Sequence, residues 1–68
     1  MALIDVIEIL AESSTSWEEA AQQAVQTAAK TVRGIRSIYI KEFEAVVEND
    51  QITRYQINAK ISFEYEGT

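Results

Sequence analysis

The sequence has no cysteine and no histidine. Without cysteine there is neither a disulfide to staple the fold nor a thiolate to hold zinc, and without histidine the commonest general base and metal-binding imidazole are missing too. Only two glycines occur, which excludes a glycine-rich phosphate loop. Positive charge is scarce. Six Lys and Arg stand against eleven Asp and Glu, a net charge of −5, so the chain lacks the basic face that nucleic-acid binding needs. Long apolar runs are missing as well: Asp5 and Glu8 interrupt the stretch from Met1 to Leu10, and no basic residues precede it, so neither a membrane span nor a signal peptide is expected. A cytoplasmic binding or structural protein, and not an enzyme, is the expectation that follows.

Sixty-eight residues make one domain, spanning 1–68, near the lower limit at which burial of apolar surface outweighs conformational entropy. With disulfide and thiolate excluded, oligomerisation is the remaining common support. A homo-oligomer is expected.

The clearest pattern is in the last third. From Gln51 to Tyr65, Tyr55, Ile57, Ala59, Ile61, Phe63 and Tyr65 share one parity, with Arg54, Gln56, Asn58, Lys60, Ser62 and Glu64 on the other. Such alternation marks a half-buried strand. Leu3–Leu10 is also a strand, but with apolar residues on both faces: Ile4, Val6 and Leu10 on one, Leu3, Ile7 and Ile9 on the other. It therefore calls for cover on both sides, the second from another subunit. Between Ala11 and Ser16 the hydroxyl-rich run marks a helix start, with Ser13 the preferred N-cap and Thr15 with Glu18, or Ser16 with Glu19, as later capping boxes. The helix is expected over Ser14 to Arg33, with Trp17, Ala20, Ala21, Ala24, Ala28 and Val32 on its apolar stripe and Gly34 ending it. Trp17 on that stripe reads as a core or interface anchor.

Ile35–Val47 is a further strand whose pattern changes phase: Ile38 and Ile40 share one parity, Phe43, Ala45 and Val47 the other. One inserted residue near Lys41 and Glu42 would put both sets on one face, which predicts a β-bulge. Glu48 to Gln51 is a polar turn closing a long hairpin. The order β-α-β-β gives an α+β fold, a three-stranded antiparallel sheet curved around one amphipathic helix.

Two groups of residues invite a ligand. Ser37, Tyr39 and Lys41 on the second strand, with Arg54, Gln56, Asn58 and Lys60 on the third, lie on the faces away from the core and together would line an inner wall, or form hydrogen bonds and ion pairs between subunits. For a hard cation such as calcium, which needs several oxygens, the candidates are Glu48, Asn49 and Asp50 in the turn, Glu42 and Glu44 on one strand face, and Glu64 and Glu66 near the end. None has EF-hand spacing, and acids at a sheet edge also serve to discourage aggregation.

The whole chain resembles the dodecins, through Ile7-Glu8-Ile9-Leu10 leading to a serine turn, Trp17-Glu18-Glu19-Ala20-Ala21 with Ala24-Val25, Thr31-Val32-Arg33, Tyr55-Gln56-Ile57 and Ile61-Ser62-Phe63. The resemblance implies a hollow homododecamer with a binding or storage role. Flavin-binding members carry a stacking tryptophan early in the second strand, where this chain has Ser37. Their glutamine for the flavin's pyrimidine edge is matched by Gln56, and their Gly-Thr-Ser turn is replaced by Ala11-Glu12-Ser13. Thr15-Ser16-Trp17-Glu18 with Ala20-Ala21 and Ala24-Val25-Gln26 looks most like the calcium dodecins, which implies calcium rather than flavin. The alternative is FMN or riboflavin at Gln56, as the resemblance implies, with Tyr39, which shares the face of Ser37, stacking in place of the tryptophan and Arg54 beside it on the third strand.

Overall fold

The chain alternates period-two and helical patterning, and each segment folds as its period dictates. The computed structural model describes residues 3–64. Strand β1 (Ile4–Ser13) leads to helix α1 (Trp17–Ala28), then to strands β2 (Ile35–Glu48) and β3 (Gln51–Glu64). The sheet is antiparallel in the order β1-β3-β2, so the strictly alternating β3 lies in the centre with both edges paired. Tyr65 and Glu66 lie outside the described residues.

The helix packs its alanines on the core face of the sheet. Ala20, Ala24 and Ala28 are buried, spaced by four so that they form one stripe, and they meet Ile57, Ala59 and Ile61 of β3, which are buried as well. Ile7, Ile9 and Ala11 of β1 and Ile38 and Ile40 of β2 flank this core. Alanine against alanine lets the backbones approach closely, which in so short a chain replaces the volume of larger side chains.

The helix is shorter than expected at both ends. Ser16 caps it by accepting from the Glu19 amide at 3.0 Å, whereas Ser13 ends β1 and is buried. The Ser13 hydroxyl accepts from the amides of Thr15 and Ser16 and donates to Glu19 Oε1 at 2.6 Å, so it closes the turn instead of capping the helix. At the other end the Ala28 carbonyl accepts from the amides of Thr31 and Val32 and from the Thr31 hydroxyl, which tightens the chain into a turn before Lys30 and Arg33 can extend the helix. Gly34 has φ +71°, a left-handed conformation that favours glycine, but it serves the entry to β2, where its carbonyl accepts from the Glu64 amide at 3.0 Å.

The expected bulge is present. Ile40 pairs with Ala59 and Glu42 with Asn58, so Lys41 is the extra residue, and Phe43 and Ala45 join Ile38 and Ile40 on the core face. The hairpin closes at Asn49 and Asp50, both with positive φ (53° and 63°), the geometry of a two-residue primed turn. Two strands of fourteen residues span about 45 Å at roughly 3.3 Å per residue, whereas a twelve-residue helix spans about 18 Å. The helix therefore leaves part of the hairpin uncovered.

Candidate functional site

On the sheet face away from the helix, strand pairing arranges side chains in cross-strand rows. Glu12, Gln56 and Glu44 form one row; Leu10, Asn58 and Glu42 the next; then Glu8, Lys60 and Tyr39; then Val6, Ser62 and Ser37. The first two rows line a cleft of about 270 Å³ that also touches Ala11 and Ile57.

Glu12 organises this end. Its Oε1 accepts from Gln56 Nε2 at 2.8 Å, and its Oε2 lies 3.6 Å from Arg54 Nη1. One of the two Gln56 amide hydrogens is thus engaged within the chain. The neighbouring Asn58 Oδ1 is buried and receives no hydrogen bond, an uncompensated acceptor at the cleft wall. At the bulge, Lys41 reaches Glu8 at 3.7 Å. Glu12 escapes sequence reasoning that stops β1 at Leu10; carrying the alternation Glu8, Leu10, Glu12 two residues further would have placed it beside Gln56.

The residues singled out for a planar ligand fall into two groups. Arg54 and Gln56 meet at Glu12, while the Ser37 hydroxyl shares a hydrogen bond with that of Ser62 at 2.5 Å, and Tyr39 is 65% exposed one row nearer the cleft. From Gln56 to Ser62 along β3 is about 20 Å at 3.3 Å per residue. One chain therefore does not bring them together.

The turn residues are placed differently again. Glu48 Oε1 accepts from the Thr53 hydroxyl at 2.9 Å, while Asn49 and Asp50 form the turn itself. Among the described residues no three Asp, Glu, His or Cys side chains converge as a metal-binding group. For calcium the donor chemistry is nevertheless right in kind: the cleft offers the oxygens of Glu12, Glu42, Glu44, Gln56 and Asn58. A cation of six to eight oxygens would need further ligands from outside this chain.

Trp17 lies on the opposite face. Its ring meets Tyr55 and Phe43 edge-to-face, with centroids 4.9 and 5.9 Å apart, and its Nε1 donates to the Glu44 carbonyl at 3.0 Å. It is an anchor between helix and hairpin.

A family model described as Dodecin matches residues 3–66. The chain belongs to the dodecin family. It is similar to the calcium dodecin of Mycobacterium tuberculosis, 38% identical over 63 residues that cover 93% of this chain and 89% of that one. Among solved structures, a dodecin variant from T. thermophilus superposes with a TM-score of 0.93 at 25% identity, with full coverage of both chains. The calcium dodecin of M. tuberculosis, described as calcium chelating with a novel calcium-binding site, superposes at 0.81 and 35% identity, covering 97% of this chain and 94% of that one. The dodecin fold thus agrees with the β-α-β-β order found here.

Proposed function

We propose that this dodecin is the subunit of a closed homo-oligomer of twelve copies that binds, and does not transform, its ligand, and that the ligand is calcium rather than a flavin. The observation that carries the assembly is the apolar surface left open. Leu10 is 79% and Ile4 and Val6 about half exposed on the sheet face that the helix does not touch, while Phe43 is 66%, Val47 61% and Ile52 about half exposed toward the hairpin end. A second copy supplies the missing cover.

For the ligand, three observations agree: the relationship to a calcium dodecin, an outer cleft walled by carboxylates and amide oxygens, and Ser37 with its hydroxyl tied to Ser62 where flavin-binding members have a ring. Ligands from a neighbouring subunit would complete the coordination sphere, either at the cleft or at the turn formed by Glu48, Asn49 and Asp50. The protein then works as a cytoplasmic store or buffer. Thermal melts test it: calcium should raise the midpoint progressively by mass action, beyond magnesium and beyond chelator. Equal midpoints in all three would remove calcium from the account.

A second reading rests on Tyr39. Its exposed ring offers a stacking surface one row from Ser37, and a neighbour's Gln56 and Arg54 would supply polar contacts to FMN or riboflavin. In that case the protein purifies yellow.

A further inference from the structure

We infer that Glu12 is the specificity-determining residue of the outer cleft, committing it to cationic ligands and closing it to anionic ones. The inference rests on the reading of this cleft as the binding site and names what makes it selective. Both carboxylate oxygens of Glu12 are engaged, Oε1 by the Gln56 amide and Oε2 by the Arg54 guanidinium. These are the two groups at this end of the sheet best suited to a phosphate or carboxylate: one a permanently charged fork, the other a neutral donor. With Glu12 in place the charge of Arg54 is offset from inside the chain and one of the two Gln56 amide hydrogens is taken.

What the cleft then presents is acceptor chemistry. With its amino group turned to Glu12, Gln56 keeps its carbonyl oxygen and one amide hydrogen unengaged, Asn58 Oδ1 is buried with no donor, and the Glu42 and Glu44 carboxylates have no ion-pair partner among the described residues, so that acceptors outnumber donors. An anion entering would meet like charge, and the guanidinium that would draw it is already offset by the Glu12 carboxylate, whereas a hydrated divalent cation or an ammonium group would meet oxygens. The side chains of Arg54 and Glu12 are nearly half exposed, so their pairing contributes little to stability and its replacement leaves the fold intact.

The test uses Glu12→Gln, which keeps the shape and removes the charge, beside the parent protein and the double variant Glu12→Gln with Arg54→Gln. Each is melted against inorganic phosphate, with chloride at matched ionic strength as control. In Glu12→Gln the midpoint should rise with phosphate, corresponding to an affinity at least about tenfold above the parent's, and this response should vanish in the double variant. If parent and Glu12→Gln respond alike, or if the response persists without Arg54, the assignment is overturned. It is also overturned if neither Glu12→Gln nor Glu12→Ala reaches the parent's oligomeric mass, since Glu12 would then be a structural residue. Calcium melts of the parent judge the ligand reading separately, because they do not depend on how Arg54 behaves once released.

Discussion

Trp17 and Ser37 carry opposite consequences at the scale of single residues. Trp17 ties the start of the helix to the hairpin through two edge-to-face ring contacts and one hydrogen bond to a backbone carbonyl. Replacing a packed tryptophan by alanine costs about 3–5 kcal/mol, and Trp17→Ala should lose stability on that scale or fail to assemble. Unchanged thermal stability and oligomer size would show that the ring holds nothing together. Ser37, by contrast, holds one partner, Ser62, and faces away from the core. A ring there would stack on a planar ligand for about 1–3 kcal/mol, and a ligand on a two-fold axis would meet it twice. Ser37→Trp should therefore create or tighten flavin binding by roughly two to four orders of magnitude, read as fluorescence quenching on titration. Adding Gln56→Ala should weaken it again. Tight flavin binding by the parent chain would instead give the stacking role to Tyr39.

Among the elements, the helix start is the most economical to test. Ser16 satisfies the Glu19 amide, one of the unpaired donors of the first turn. Ser16→Ala should cost about 0.5–2 kcal/mol, whereas Ser14→Ala, in the same run but with no cap to lose, should change little; equal effects in denaturant unfolding would contradict this assignment. The strands were readable from the sequence because a period of two leaves one interpretation, and the phase change between Ile40 and Phe43 admitted only an inserted residue, Lys41. The helix ends were not. Ser13, Ser14, Thr15 and Ser16 all carry a capping hydroxyl, and only the pairing of Ser13 with Tyr55 decides that the strand uses the first of them. At the far end Val32 continues the helical spacing, yet local hydrogen bonds to the Ala28 carbonyl stop the helix. The candidate site suffered most from such boundary effects. Gln56 and Arg54 stood out by residue type and parity, but Glu12, which engages both, was hidden in a segment read as turn.

At the scale of the molecule, one helix cannot cover a sheet of this length. The described residues extend over 53 × 19 × 13 Å, a long thin body whose core rests on a few alanines and isoleucines. Its outer face alternates rows of charge with Val6 and Leu10, and the hairpin end exposes Phe43, Val47 and Ile52. That distribution suits a protomer whose folding is completed by its neighbours. Ser37 and Gln56, about 20 Å apart in one chain, form one site only where a second subunit brings them together. Residue type alone cannot reveal this, since symmetry is a property of the assembly. The direct measurement is the mass in solution by light scattering coupled to size exclusion, over a dilution series reaching micromolar protein. Twelve times the 7.7 kDa of one chain, unchanged on dilution, is the result predicted. A stable, folded monomer at micromolar concentration would contradict it.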